Sequence, residues 1–136
     1  MTDTAFYPCL CIELRKASRK VTAFYDEALA STGVNIAQFS LLRKIRRHGP
    51  LSLTALAEMV ELDRSTLGRN VRVLEKMGLV TLGAGKDQRE ANVELTSSGR
   101  MTLTAGDPLW DRAQDDIADK IGADGVAQLQ ALLGAL

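Results

Sequence analysis

The segment Asp63-Arg-Ser-Thr-Leu-Gly-Arg-Asn-Val-Arg-Val-Leu-Glu-Lys-Met77 has the clearest helical pattern in this chain. At about 100° per residue, Leu67, Val71 and Leu74 fall on one narrow apolar face of a helix. Asp63 is a good N-cap, because its carboxylate can accept from the free N–H groups of the first turn, and Gly78 follows the last turn as a C′ glycine does. The opposite face is polar and basic, with Ser65, Arg69, Arg72 and Lys76. Such a face on an isolated helix is more often solvated than bound to a partner, so the flanking sequence must decide.

A shorter helix precedes this one and predicts the motif. Gly49-Pro50 is a firm break, and Leu51 is expected in a very short strand. Ser52 then caps a helix of about two turns over residues 53–60. The three residues 61–63 leave room only for a turn. Two helices in this arrangement, the second with the polar face, form a helix-turn-helix.

Two β-rich segments follow the second helix, at residues 79–82 and 91–96. The turn-rich loop between them, residues 83–90, carries Lys86, Asp87 and Arg89. We expect a β-hairpin, or wing, beside the helix. A basic-tipped hairpin directly after a helix-turn-helix is much more specific for DNA binding than either element alone.

Amphipathic helices flank this region. One spans about residues 5–30, and the next, about 37–48, is capped by Asn35. After the hairpin, Ser97 or Ser98 should cap a helix that Pro108 kinks, and a turn at residues 122–125 should precede a last apolar helix. Three sets of apolar residues mark the inward faces: Leu10, Leu14, Ala17, Val21, Phe24 and Ala28; Phe39, Leu42 and Ile45; and Trp110, Ala113, Ile117 and Ile121.

The terminal helices carry more apolar surface than a small core can cover, and the last one adds Val126, Leu129, Leu132, Leu133 and Leu136. Pairing with a second copy would bury that surface. We therefore expect a mainly α fold with a small β-hairpin wing. Residues 35–96 would form a winged helix-turn-helix, and residues 1–34 and 97–136 a helical dimerisation region, all within one structural domain.

The charge distribution favours a polyanionic partner. The formal net charge is zero, but residues 35–92 contain ten Lys and Arg against six Asp and Glu, whereas residues 93–136 contain three against seven. A basic middle can approach DNA while the acidic end stays away. The sequence lacks a bilayer-length apolar run and a signal segment, so a cytoplasmic protein is expected.

Enzymatic chemistry finds little support. The chain has one His, no glycine-rich phosphate loop and no Gly-x-Ser-x-Gly motif. Two Cys and His48 in one protomer do not make a four-ligand metal site, so we expect neither a structural metal nor a cofactor. The remaining rival is a winged helix that binds protein instead of DNA, although such modules usually lack basic residues on the recognition face.

The chain resembles the multiple-antibiotic-resistance regulator (MarR) family of bacterial transcription factors over nearly its whole length. Six short motifs in the right order carry the resemblance: Gln38-Phe-Ser-Leu-Leu42, Leu56-Ala-Glu-Met-Val60, Asp63-Arg-Ser-Thr66, Val73-Leu-Glu-Lys-Met-Gly-Leu-Val80, Lys86-Asp-Gln-Arg89 and Leu95-Thr-Ser-Ser-Gly99. The resemblance implies a homodimer that binds a pseudo-palindromic operator. Repression is the commoner mode in the family, and a small ligand or an oxidant often relieves it.

Two groups of residues are candidates for DNA contact. Ser65, Thr66, Arg69 and Asn70 lie on the half of the helix that would enter the major groove, whereas Arg72 and Lys76 would meet phosphates. The resemblance places Lys86, Asp87 and Arg89 in the wing, where the arginine enters the minor groove and the aspartate holds its guanidinium. The alternatives are a surface arginine paired with an acid, and ordinary Asp-Gln turn chemistry.

Cys9 and Cys11 have two interpretations. They are packing residues of a dimer interface, or one of them is a sensing thiol. Two helical residues at this spacing diverge by about 200°, which keeps them from facing one pocket. The organic-hydroperoxide branch of the family has a reactive cysteine at a position similar to that of Cys11. That branch also has tyrosines near the thiol, and Tyr25 is positioned to serve as one of them. Arg15 replaces one such tyrosine, no distal resolving cysteine exists, and binding of a metal, an arsenical or a phenolic ligand remains open.

Overall fold

The structure, a computed structural model, describes residues 7–84 and 91–136, which form a mainly helical chain with a small antiparallel sheet. The elements are α1 (Leu10–Leu29), α2 (Ile36–His48), β1 (Leu51–Ser52), α3 (Leu53–Val60), α4 (Arg64–Lys76), β2 (Val80–Ala84), β3 (Ala91–Leu95), α5 (Ser97–Ile121) and α6 (Ala123–Gly134). A 3₁₀ turn at Ala30–Thr32 follows α1. The predicted fold class is confirmed.

Both helices of the helix-turn-helix begin at the caps that the sequence predicts. The Ser52 hydroxyl accepts from the Ala55 N–H at 3.1 Å, and the Asp63 carboxylate accepts from the Thr66 N–H at 2.8 Å. The turn between the helices includes Glu61 in the left-handed region, with φ 55°. These local interactions fix where α3 ends and α4 begins.

The core lies between α2, α3, α4 and the sheet. The predicted stripe of α4, Leu67, Val71 and Leu74, is fully buried, and α3 contributes Leu56 to the same cluster. From α2 come Phe39, Leu42 and Ile45, also as predicted. Burial of this stripe orients the opposite side of α4 toward solvent.

The sheet has three strands in the order β1-β3-β2. Val93 pairs with Leu51 on one side and with Leu82 on the other. The predicted hairpin is therefore extended by β1, which ties the start of the helix-turn-helix to the wing. Predicted strand ends differ slightly, because β2 covers 80–84 instead of 79–82 and β3 ends at residue 95 instead of 96.

The start of α5 corrects one prediction. Thr96 is its N-cap, and its hydroxyl accepts from the Gly99 N–H at 3.0 Å and donates to the Gly78 carbonyl at 2.6 Å. Neither Ser97 nor Ser98 serves as the cap. Thr96 takes this place, and its second hydrogen bond, to Gly78, ties the start of α5 to the residues just after α4. The helix continues through Pro108 to residue 121, and the turn before α6 is Gly122 alone instead of four residues.

The first helix is shorter than predicted, and the N-terminal part of its apolar stripe is exposed, whereas Phe24 and Ala28 are half-buried. It begins at Leu10 instead of residue 5, because Cys9 is an extended N-cap and Pro8 disfavours helix at the residue before it. Leu10 and Leu14 are 67% and 46% exposed, and the only buried residue of α1 is Leu29. Among the helices of residues 7–84 and 91–136, none has the length and apolar character needed to cross a bilayer.

Candidate nucleic-acid interface

The solvent-facing side of α4 carries a basic groove of about 460 Å³. Leu53, Arg64, Ser65, Gly68, Arg69 and Arg72 line it. We call this surface the basic groove. The structure thus brings together Ser65, Arg69 and Arg72, as helical spacing predicts, and all three are exposed.

Arg64 belongs to the basic groove but was missed among the candidates. The signal was present, since Arg64, Gly68 and Arg72 are each four residues apart and therefore share one side of a helix. Lys76 is exposed in the last turn of α4 and does not line the groove.

Asn70 lies on a different side of α4 from the basic groove. It lines a cleft of about 130 Å³ between α2 and α4, together with Asn35, Gln38, Leu41 and Val73. Val73 is 48% exposed there. The predicted DNA-contacting residues of α4 therefore occupy two neighbouring faces and not one.

The N-cap of α4 gathers several hydrogen bonds. Asp63 Oδ1 accepts from the Thr66 N–H at 2.8 Å and from the Ser65 hydroxyl at 2.7 Å, and Asp63 Oδ2 accepts from the Thr66 hydroxyl at 2.9 Å. The Thr66 N–H bond is the largest of the causes that lower the pKa of Asp63 from 3.8 to about 2. Asp63 is therefore ionised at neutral pH, and its charge lies beside the helix N-terminus.

Thr66 links this cap to Arg69. Its hydroxyl oxygen accepts from Arg69 Nη2 at 3.2 Å. Thr66 is half-buried, whereas Arg69 is exposed. The guanidinium is thus anchored at one nitrogen and leaves most of its donors open to solvent.

Two contacts join α2 to α5, and neither was predicted from the sequence. Arg46 forms an ion pair with Asp107, and the Arg43 guanidinium lies 3.8 Å from the centre of the Trp110 ring. The hydrogen bond between the two groups raises the pKa of Arg46 and lowers that of Asp107. These contacts connect α2, which packs beside the helix-turn-helix, to α5.

The three candidate sensing residues are not brought together within one protomer. Cys9 and Cys11 are exposed free thiols at the start of α1. Tyr25 lies fourteen residues after Cys11 on the same helix, about 21 Å along the axis at 1.5 Å per residue. Its hydroxyl donates to Gln114 on α5, and burial raises its pKa. Because Cys9 precedes the helix, the angular separation expected for two helical residues does not apply to the cysteines.

A cleft of about 300 Å³ lies between α1 and α5. Its lining combines apolar and charged side chains: Phe24, Glu27, Ala28, Leu109, Arg112, Ala113 and Asp116. Within residues 7–84 and 91–136, His, Cys, Asp and Glu form no group arranged to hold a metal ion. The predicted wing residues Lys86, Asp87 and Arg89 lie outside the described residues.

The sequence and the fold were compared with those of known proteins. Residues 34–90 match the sequence profile of the MarR family. The crystal structure of the M. tuberculosis transcriptional regulator MosR in complex with DNA superposes with a TM-score of 0.80 at 33% identity, and the match covers 94% of this chain and 98% of that one. The chain belongs to the MarR family. The resemblance seen in the six sequence motifs is thereby confirmed.

Other relatives within the MarR family are also regulators. The chain is 34% identical over 93 residues to the transcriptional repressor NicR of Pseudomonas putida, and this match covers 68% of this chain and 59% of NicR. It is 28% identical to the organic hydroperoxide resistance transcriptional regulator of Bacillus subtilis, with 68% and 63% covered. The match thus spans about three fifths of these relatives' length. The matched proteins are transcriptional regulators and not enzymes, as the sequence predicted.

Proposed function

We propose that two copies of this chain form a homodimer that binds a pseudo-palindromic operator in duplex DNA and represses transcription. The observation that carries the proposal is the basic groove, in which three arginines and Ser65 lie exposed on the second helix of a helix-turn-helix. Guanidinium groups bind phosphates and guanine edges, and a helix of this size fits the major groove.

Uncovered apolar surface supports the proposed dimer. Leu132 and Leu133 of α6 are 68% and 48% exposed, and Ile12 of α1 is 50% exposed. A second copy that covers these faces would bury an area typical of homodimers. In this proposal residues 35–96 bind DNA, while 1–34 and 97–136 dimerise.

Two-fold symmetry sets the geometry on DNA. The two copies of α4 would enter successive major grooves about 34–36 Å apart. Ser65, Arg69 and Arg72 would meet bases and nearby phosphates from the basic groove, and the wing would place Arg89 in the minor groove with Asp87 beside it. MosR, a relative with the same fold, was crystallised in complex with DNA, which supports DNA binding by this fold.

The proposal is tested by selection of binding duplexes from a random library with the wild-type protein, followed by affinity measurements at two salt concentrations. Arg69→Ala should weaken binding about tenfold and reduce discrimination among operator variants. Arg89→Ala should weaken it at least about tenfold and flatten the salt dependence. Arg19→Ala, a charge-matched control at an exposed position on α1, should change neither. Failure to select any duplex would reject DNA binding and favour the protein-interaction module instead.

The cleft between α1 and α5 is a candidate binding site for a small ligand that releases the protein from DNA. Its volume is at the small end of ligand pockets. Its apolar lining residues are buried or half-buried, whereas its charged lining residues are exposed. A phenolic compound could place its ring against Phe24 and Leu109 and its oxygen beside Arg112. Titration with simple phenols, with Leu109→Trp as a variant that fills the cleft, should reveal competition with DNA that the variant loses.

Thiol sensing is the second candidate, because both cysteines are exposed and free and a relative is named for hydroperoxide resistance. A hydroperoxide would transfer oxygen to the Cys11 thiolate, the O–O bond would break, and the alcohol would leave behind a sulfenic acid. Cumene hydroperoxide should then weaken DNA binding in the wild type and in Cys9→Ser, but not in Cys11→Ser. An equal response of all three proteins, or none, would reject sensing by Cys11.

A further inference from the structure

Three polar side chains form a continuous hydrogen-bonded chain across the first two turns of α4. The Thr66 hydroxyl donates to Asp63 Oδ2 at 2.9 Å, and its oxygen accepts from Arg69 Nη2 at 3.2 Å. We call this the Asp63–Thr66–Arg69 relay. We propose that Asp63 and Thr66 hold the Arg69 guanidinium in the orientation that DNA requires, and that Thr66 is a positioning residue instead of a reader of bases. The inference rests on the proposed function.

The chemistry of Asp63 and Arg69 determines which hydroxyl lone pair or proton of Thr66 each of them engages. An ionised carboxylate only accepts hydrogen bonds, and a guanidinium only donates them. A hydroxyl between the two must therefore give its single proton to Asp63 and offer its lone pairs to Arg69. The relay has one direction, and the Thr66 hydroxyl has no proton left for a base.

The remaining geometry is suited to DNA recognition. Thr66 is half-buried and β-branched, which limits its χ1 rotamers, whereas Arg69 is exposed in the basic groove. One Nη2 proton is engaged by Thr66, and the other guanidinium donors make no hydrogen bond within residues 7–84 and 91–136. A held guanidinium loses less conformational freedom on binding than a mobile one, which is worth about three- to tenfold in affinity.

Ser65 offers an internal control. Its hydroxyl donates to Asp63 Oδ1 at 2.7 Å, but no hydrogen bond connects it to Arg69 within the described residues. Removal of the Ser65 hydroxyl should therefore act independently of Arg69. Removal of the Thr66 hydroxyl should act through Arg69.

The test is a double-mutant cycle with a duplex that the wild type selects from a random library. Thr66→Val should weaken binding about three- to tenfold in the wild-type background and have almost no effect in the Arg69→Ala background. Thr66→Ser should restore affinity, and Ser65→Ala should be additive with Arg69→Ala. An equal loss from Thr66→Val in both backgrounds would overturn the relay, because Thr66 would then act without Arg69.

Asp63→Asn separates capping from the relay. The Asn side-chain oxygen still accepts from the Thr66 N–H, but its NH₂ group cannot accept from the Thr66 hydroxyl. We expect α4 to remain folded and DNA affinity to fall as in Thr66→Val, with the same dependence on Arg69. Unchanged affinity in a folded Asp63→Asn protein would contradict the relay.

A measurement without DNA distinguishes failure of the relay from failure of the proposed function. Side-chain ¹⁵N relaxation of the Arg69 guanidinium in the free protein should show restricted motion, and Thr66→Val should release it while Thr66→Ser should not. If no duplex is selected but the motion behaves in this way, the proposed function fails and the relay remains. If Arg69 is equally mobile in all three proteins, the relay is wrong whatever the protein binds.

Discussion

Arg46 and Asp107 form a two-point ion pair between α2 and α5. Arg46 Nη1 donates to Asp107 Oδ2 at 2.8 Å, and Nη2 donates to Oδ1 at 3.0 Å. The two side chains are 41% and 39% exposed, so solvent screens the pair, but its planar geometry is the favourable one for arginine and carboxylate. The pair therefore helps to fix the position of α2 against α5.

Asp107→Asn should lower the free energy of unfolding by up to about 1 kcal/mol, because it removes the charge that Arg46 faces. The loss should shrink at high salt, and it should vanish in acid. The lowered pKa of Asp107 means that its contribution is present above the ordinary carboxyl pKa and is lost as the pH falls below it. Denaturant unfolding at two salt concentrations measures this. Asp111→Asn, an exposed acid on the same helix, is the charge-matched control, and an equal loss in both variants would contradict a specific pair.

Asp63 should leave a distinct signature in acid. Its pKa is about 2 in the folded chain against 3.8 for an ordinary aspartate. The resulting stabilisation is complete above the unfolded-state pKa and decreases as the pH falls through about 2. The difference in unfolding free energy between the wild type and Asp63→Asn should therefore be constant above about pH 5 and shrink below it. A carboxyl ¹³C titration of Asp63 with a midpoint near 3.8 would show that the cap bonds do not form.

Gly106 should tolerate no side chain, since a Cβ there would lie 2.4 Å from Cε2 of the fully buried Phe39. Gly106→Ala would force α5 away from α2, and we expect a loss of about 1–3 kcal/mol in the free energy of unfolding. At Gly68 in α4 a Cβ meets nothing within 4 Å, so Gly68→Ala should instead add about 0.5–1 kcal/mol through its better helix propensity. Denaturant unfolding of both variants checks the opposite signs, and destabilisation of similar size in both would reject the close approach of α5 to Phe39.

Local signals allowed most of the fold to be predicted from the sequence. Ser52, Asp63 and Asn35 are caps in the structure because each satisfies N–H groups within its own first turn, and this requires no distant partner. The stripe of α4 was predictable for the same reason, since helical periodicity alone determines it. Thr96 was missed as a cap because its hydroxyl also donates to Gly78, which is distant in sequence.

The parts of the site that escaped prediction depend on contacts between elements. Arg46 and Asp107 are 61 positions apart, and nothing in either local sequence indicates that they meet. The position of Asn70 beside α2 likewise follows from how α2 and α4 pack, and not from the periodicity of α4 alone. The spacing of three residues from Thr66 to Asp63 and to Arg69 could have indicated that these side chains meet. Helical spacing alone does not show which group donates and which accepts.

Exposed apolar side chains on α6 lead to the last prediction, which concerns the dimer. Leu132 is 68% exposed, and a leucine of this exposure on a helix with other uncovered leucines is expected to lie in an interface. Leu132→Glu would place a charge in that interface, so the protein should sediment as a monomer at micromolar concentration while its helix content stays unchanged. Met59→Glu, an equivalent change at a 41% exposed site on α3, should leave the dimer intact. A wild-type protein that sediments as a monomer, or a Leu132→Glu protein that remains a dimer, would remove α6 from the interface and with it the symmetry on which operator binding by two copies depends.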